Sequence, residues 1–366
     1  MPTSNDKIHP FEFNTMQQII KSSQPVSDIE KTLRRIRHDK LFLLTDEHTH
    51  RHCLPLLAGI PLIGEATEII IPADDIHKTL ESLSKVWLQL TQNGATRHSL
   101  LVNLGGGMVT DLGGFAAATF KRGIKYVNIP TTLLGAVDAA VGGKTGINFG
   151  GYKNEIGSFY PSEYVIITTD FFHTLDERAI RSGYAEMIKH ALIHSAADWE
   201  KLLSFPLDVV DYNQLNELLF RSVGIKRGIV EKDPFEKDIR KALNLGHTTG
   251  HAFESFAMES GNPIPHGYAV AWGMIVELYL SHRICGFPKE KLLKTVRYIQ
   301  QHYGAFPITC DHYEALYEIT RHDKKNVGGL INFTLLSEVG NVRIDQTADK
   351  ELFFEALDFY RDSVGL

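Results

Sequence analysis

Two histidines four residues apart in His247-Thr-Thr-Gly-His251, a third at His266, and Glu186 with Lys189 in Ser182-Gly-Tyr-Ala-Glu-Met-Ile-Lys-His190 could hold a cation or move a proton. At helical spacing His247 and His251 share a face, and so do Glu186 and Lys189. A carboxylate with imidazoles makes a shell for a divalent ion such as zinc and leaves a position open for a ligand. Spacing alone suggests His247 and His251 as a ligand pair of the HExxH kind, yet Thr248 stands where that motif has glutamate. For Glu186 and Lys189 the ordinary role at this spacing is a solvated salt bridge.

A second set of residues suits a nucleotide. The apolar run Leu101-Val-Asn-Leu104 reads as a buried strand that breaks into Gly105-Gly106-Gly107, with Asp111 four residues on. Glycines before a helix let backbone N–H groups approach a pyrophosphate, and the helix N-terminus favours negative charge. Thr110 replaces the last glycine of the common GxGxxG fingerprint, so this is a different version of it. Pro130-Thr131-Thr132 follows the apolar run Tyr126 to Ile129 and sets two hydroxyls at a strand's carboxyl end, where open α/β sheets bind ligands. Asp138, Lys144, Lys153 and Asn154 lie among Gly142-Gly143 and Gly150-Gly151, a density of glycine that lets backbone wrap something small or simply forms a solvated loop. Upstream, Asp46 ends a predicted strand and suits either a ribose contact or a helix cap, while Asp75 and Lys78 follow Ile69-Ile-Ile-Pro72 and are ambiguous alone. Arg122, Lys144, Lys153, Lys189, Lys226, Arg240 and Lys325 come from separate segments, and each by itself reads as a surface cation.

The elements that must position these groups fall into two kinds. Short β-branched runs at 41–45, 68–71, 100–103, 126–129 and 164–168 alternate with helical stretches such as 77–90, which predicts a mostly parallel sheet with helices on its faces. Beyond about Asp170 the period changes to that of helices, at 177–194, 211–230, 247–259, 270–285 and 290–303. A β-like pair at 331–336 and 342–344 precedes a last helix whose Leu352, Phe353, Ala356, Leu357 and Tyr360 share a face. The expected architecture is an α/β, Rossmann-like nucleotide-binding domain over 1–170, a mainly helical metal- and substrate-binding domain over 171–366, and a site in the cleft between them. With 366 residues and 43% hydrophobic content, both parts have enough apolar sequence for a core. A net charge of −6 argues against a nucleic-acid or membrane-surface partner, so an anionic ligand must be met by local clusters of Lys and Arg. Cys53, Cys285 and Cys310 are scattered, without a CxxC, as suits a reducing compartment. The N-terminal stretch lacks a signal-peptide pattern and no apolar run is long enough to span a bilayer, so a cytoplasmic protein is expected.

The blocks NLGGGMVTDLGGF, PTTLL, VDAAVGGKTGIN, YKNEIG, SGYAEMIKH, LNLGHTTGHAFE, HGYAVAWGM and DKK, running from about Asp46 to Lys325, closely resemble the 3-dehydroquinate synthases, sugar-phosphate cyclases of the shikimate pathway. The resemblance implies an NAD-dependent, metal-dependent lyase that turns 3-deoxy-D-arabino-heptulosonate 7-phosphate into 3-dehydroquinate and phosphate. It assigns the metal, zinc with cobalt as the alternative, to Glu186, His247 and His266, and leaves His251 for substrate or proton work. It assigns NAD to Asp46, Asp75, Lys78, Gly106, Gly107, Asp111, Thr131, Thr132, Lys144, Lys153 and Thr174. Substrate would be met by Arg122, Asp138, Lys144, Asn154, Lys189, Lys226, Arg240, Asn244, His251 and Lys325, the last favoured over Lys324. A homodimer is implied as well. Three positions depart from the family's usual residues: His48 for Asn, Asp75 for Glu, and Tyr268 for the Glu beside His266. Sister cyclases of secondary metabolism and metal-dependent polyol dehydrogenases are the alternative readings. The first would accept a substrate lacking the carboxylate, and the second would form NADH in net amounts.

Overall fold

In the computed structural model, which describes residues 17–150, 152–321 and 331–366, the N-terminal part is built on one parallel sheet. The chain runs through β1 (Gln18–Lys21), α1 (Pro25–Arg35), β2 (Leu41–Asp46), α2 (Glu47–His52), the one-turn α3 (Pro61–Gly64) and β3 (Thr67–Ile71). It continues through α4 (Leu80–Gln92), β4 (Leu100–Gly105), α5 (Gly107–Thr119), β5 (Lys125–Pro130), the hairpin β6 (Lys144–Phe149) and β7 (Tyr152–Phe159), and β8 (Tyr164–Ile167). The six sheet strands lie in the order β1-β8-β5-β4-β2-β3, every pair parallel. Successive side chains of a strand face opposite ways. Leu43, Val102 and Val127 therefore enter one core, while Phe42, Leu44, Leu101 and Tyr126 enter another with Leu83 and Val86 of α4 and Val109 and Leu112 of α5. Because β2 has β3 on one side and β4 on the other, the strand order reverses between β2 and β4. Open α/β sheets bind ligands in the crevice at the carboxyl ends of the strands flanking such a reversal. Here those ends are Asp46 and Gly105.

The second part comprises α6 (Glu177–His194), α7 (Ala196–Leu203), α8 (Tyr212–Lys232), α9 (His247–Glu259), α10 (His266–Cys285), α11 (Lys289–Tyr303), α12 (Tyr313–Arg321), the antiparallel hairpin β9 (Asn332–Glu338) and β10 (Asn341–Thr347), and α13 (Lys350–Val364). α10 is apolar around most of its circumference and is accordingly the central helix, packed by α6, α9, α11, α13 and β9. The larger apolar core continues from Val102 and Val127 of the sheet into Tyr184 and Met187 of α6 and Met274 of α10. That continuity fixes the helical part against one sheet face. Among the described residues no helix is long and apolar enough to cross a membrane, and all three cysteines are free.

The strands and long helices expected from the sequence are present, with three differences. α10 begins at His266, because Pro265 is the boundary and the polar His-Gly-Tyr start carries no apolar stripe. The sheet gains the edge strand β1, too short for a periodic signal. The glycine-rich stretch after Gly143 forms the β6–β7 hairpin rather than a loop. There glycine serves close strand pairing: a Cβ on Gly157 would lie 2.0 Å from the Thr145 carbonyl oxygen.

Candidate active site and metal centre

α6 is capped by Asp176, whose carboxylate accepts the Ala179 N–H at 2.7 Å, and it packs against the turn that follows Pro130-Thr131-Thr132. The approach is so close that a Cβ on Gly183 would lie 2.4 Å from the Leu134 nitrogen. This contact carries Glu186 and Lys189, on the same helix, beneath the cleft, where both side chains are fully buried and form an ion pair. His247 and His266 are the first residues of α9 and α10, and their Nε2 atoms lie 3.4 and 3.6 Å from Glu186 Oε1. One ligand atom from each of the three residues falls within 4.8 Å of the others.

Neither Glu186 oxygen has an aligned hydrogen-bond donor among the described residues. Lys189 balances the charge of this buried carboxylate, and with two imidazoles facing its other oxygen the donor set fits a divalent metal. Burial alone would raise the Glu186 carboxyl, but Lys189, His247 and His266 outweigh it and hold it well below the usual range. Burial, reinforced by Lys189, pushes His247 the other way, toward the neutral form that ligates. At His266 burial is overcome by Glu254 and Glu186, which raise its pKa to about 10, so a cation there must displace a proton. His251 groups with Glu254 and His266 but not with Glu186, its ring centroid 5.3 Å from that of His247. Around Glu186 the structure thus brings together His247 and His266 rather than His247 and His251, because α10 begins where its first residue faces α9.

The nucleotide-type residues gather at the reversal in strand order. Asp46 ends β2 and caps α2, accepting the Thr49 N–H at 2.8 Å, so the structure shows the helix-cap role. Gly106 and Gly107 open α5 with no side chain capping the helix. Its first N–H groups are therefore available to an anion. Lys78, buried, donates to Asp111 and Asn154, and burial raises the Asp111 carboxyl despite Lys78. Lys153 reaches Asp75 at 3.0 Å. Thr132 Oγ1 accepts the Gly135 N–H, whereas the buried Thr131 hydroxyl has no partner among the described residues. Thr174 Oγ1 donates to the Phe171 carbonyl and lies 3.9 Å from Cys53 Sγ. A crevice with uncapped helix N–H groups, an unmatched hydroxyl and a strand-end carboxylate fits a dinucleotide.

Each cation of the cleft is held by an acid or a carbonyl. Lys226 donates to both the carboxylate and the backbone carbonyl of Asp138. Burial lowers the Lys226 ammonium, while Lys226 in turn outweighs the burial of Asp138 and holds that carboxyl well below its usual range. Lys144 pairs with Glu236, which also accepts from Asn244 Nδ2 at 2.8 Å. Arg240 is buried, donates to the Pro234 and Gly142 carbonyls and lies over the Phe159 ring. Lys324 and Lys325 lie outside the described residues.

Arg122 is the exception to this gathering. It follows the far end of α5, exposed and at φ 66°. A helix of 13 residues spans about 20 Å, so within one chain Arg122 stands at the opposite edge of the sheet from the glycine turn. Its expected place among the substrate cations is therefore not reproduced by the single chain. Three residues of the cleft were not singled out in the sequence: Glu236, Glu254 and His190. Glu254 lies three residues after His251 on α9, a spacing that shares a helix face, whereas Glu236 sits in the turn after α8 at φ 57° and carries no periodic signal. His190 is wholly buried with Nδ1 2.8 Å from Ser222 Oγ, and burial pushes its pKa down to about 3.

The chain matches the family models for the 3-dehydroquinate synthase N-terminal region over residues 68–182 and C-terminal region over 183–326. It is 53% identical to the 3-dehydroquinate synthase of Parabacteroides distasonis, over 96% of this chain and 99% of that one. Among solved structures, a 2-deoxy-scyllo-inosose synthase complexed with carbaglucose-6-phosphate, NAD+ and Co2+ superposes with a TM-score of 0.81 at 23% identity, covering 93% of this chain and 95% of the other. The 2-epi-5-epi-valiolone synthase of Streptomyces hygroscopicus, with NAD+ and Zn2+ bound, gives 0.79 at 24% identity over 95% and 97%. At these identities the two structures speak for the fold.

Proposed function

The chain belongs to the 3-dehydroquinate synthase family, and from that membership we infer that it converts 3-deoxy-D-arabino-heptulosonate 7-phosphate into 3-dehydroquinate and phosphate. The reaction comprises transient oxidation at C5, β-elimination of phosphate, re-reduction, ring opening and intramolecular aldol closure. The observation that carries this reading is the buried Glu186 carboxylate, without an aligned donor and faced by two imidazoles, beside a cleft of acid-held cations. NAD supplies a hydride acceptor that is restored in each turnover, and a divalent cation, zinc with cobalt as the alternative, supplies a Lewis acid at the C5 hydroxyl.

Glu186, His247 and His266 would hold the cation. Asp46, Asp75, Lys78, Gly106, Gly107, Asp111, Thr131, Thr132, Lys144, Lys153 and Thr174 would hold NAD. For substrate, Lys144, Asn154 and Lys325 would grip phosphate or carboxylate. Asp138, Lys189 and Lys226 would hold hydroxyls, and Arg240, Asn244 and His251 would place the reacting carbons, with His251 assisting proton transfer. Because Lys144 is paired with Glu236, an arriving dianion must compete for that ammonium, which disfavours weaker anions. The protein's own contribution is orientation and charge placement. Residues 1–170 would form the nucleotide domain and 171–366 the metal and substrate domain, in a cytoplasmic homodimer. Incubation with the heptulosonate phosphate, catalytic NAD and zinc should release phosphate without accumulating NADH, and a chelator should abolish it. Stoichiometric NADH would instead indicate a dehydrogenase.

A further inference from the structure

Glu254 is almost fully buried on α9, yet it is not one of the residues facing Glu186. Its two oxygens look in different directions. Oε2 lies 3.3 Å from His266 Nδ1, while Oε1 accepts from Lys153 Nζ at 2.6 Å. His266 in turn directs Nε2 toward Glu186. A carboxylate on Nδ1 keeps the proton there, leaving the Nε2 lone pair for a cation, and it makes that nitrogen more basic. Lys153 belongs to the β6–β7 hairpin and also reaches Asp75, at 3.0 Å, on the connection that leaves β3. A single chain of charged contacts, Asp75 to Lys153 to Glu254 to His266, thus joins the crevice of the sheet to the cluster on the helices.

We propose that Glu254 is a positioning residue for His266, and that Lys153 makes the strength of its hold on the metal depend on whether the nucleotide crevice is filled. This rests on the reading that Glu186, His247 and His266 take a divalent cation and that Asp75 and Lys153 contact NAD. The sign follows from charge. While Lys153 is bound to Glu254 it neutralises that carboxylate, which weakens its pull on the Nδ1 proton. A dinucleotide that draws Lys153 toward Asp75 returns the full negative charge of Glu254 to His266, so NAD tightens metal binding. By linkage the metal tightens NAD by the same factor.

The test uses the full chain stripped of metal and titrated with Zn2+ against a chromophoric chelator, with and without NAD, alongside the visible spectrum of the Co2+-loaded protein. Glu254→Gln should weaken Zn2+ binding roughly 10- to 100-fold and alter the Co2+ spectrum, with partial rescue by Glu254→Asp. In the wild type NAD should tighten Zn2+ about 5-fold or more, an effect lost in Lys153→Gln. If Glu254→Gln does not fold, the Lys153→Gln comparison decides: NAD tightening Zn2+ equally in that variant and the wild type overturns the proposal. Unchanged Zn2+ affinity and Co2+ spectrum in a folded Glu254→Gln overturn it as well. Glu186→Gln separates the two readings. If Zn2+ binding survives that change, the metal assignment itself has failed; if it vanishes while Glu254→Gln binds like the wild type, only the role of Glu254 has.

Discussion

Glu277 offers the sharpest test of how the helices set the proposed metal-binding residues. It lies on α10, is fully buried, and spends both carboxylate oxygens on the start of α9: Oε2 accepts the Gly246 N–H at 2.6 Å and Oε1 the Thr249 N–H at 3.0 Å. These N–H groups flank His247, so one side chain on the His266 helix pins the turn that presents the other imidazole. Glu277→Gln keeps the shape but leaves one accepting oxygen where two are used. One buried N–H then goes unmatched, costing about 1–3 kcal/mol. Losing the negative charge at a helix N-terminus adds about 0.3–2 kcal/mol. A total of about 1–5 kcal/mol is a large part of the roughly 5–15 kcal/mol by which proteins are stable.

The assay is urea unfolding of metal-free protein, followed by Zn2+ titration of the folded fraction. Glu277→Gln should unfold at lower urea by that margin and bind Zn2+ more weakly, because the first turn of α9 is no longer held. Glu277→Ala should do worse, since it orphans both N–H groups and leaves a cavity. A Glu277→Gln protein that unfolds at the wild-type urea concentration with unchanged Zn2+ affinity would refute the anchoring argument.

Two further outcomes follow from contacts elsewhere. Tyr268, the departure from the family's glutamate, packs edge-on against Trp272 and Tyr303 with Arg178 5.7 Å from its ring centroid. Tyr268→Phe should therefore cost under about 1 kcal/mol, whereas Tyr268→Glu should cost about 2–4 kcal/mol by putting a carboxylate into an aromatic cluster; equal urea midpoints for the two would contradict this. Asp198 accepts from Arg221, Ser195 and His194, and these contacts outweigh its partial burial to bring its pKa down to about 2. A carboxyl lowered on folding adds stability above its unfolded value and loses it as pH falls through the folded one. The contribution, on the order of 1 kcal/mol after solvent screening, should thus fade between about pH 4 and pH 2, and Asp198→Asn should flatten the acid limb of a stability–pH curve relative to the wild type.

What was legible in the sequence is explained by which signals are local. The sheet strands announce themselves as apolar β-branched runs because both faces are covered, and α6 and α9 do so by their 3.6-residue period. A short hairpin of mixed polar residues, with a glycine in each strand and more at its turn, carries no such signal, so β6 and β7 read as loop although they hold Lys144 and Lys153. The site divides in the same way. Cations and imidazoles stand out in a sequence because their chemistry is unusual, while the acids around them do not: Glu254 and Glu277 look like ordinary helix-surface acids until packing buries them, and Glu236 lies in a turn. The choice between His251 and His266 shows the limit most clearly: helical spacing favours the residue four along on the same helix. Only the crossing of α10 over α9 puts the more distant histidine opposite Glu186. Ligand sets assembled from helix starts on different elements are therefore poorly visible in spacing and recoverable from resemblance, whereas the acids that tune them follow only from the three-dimensional arrangement.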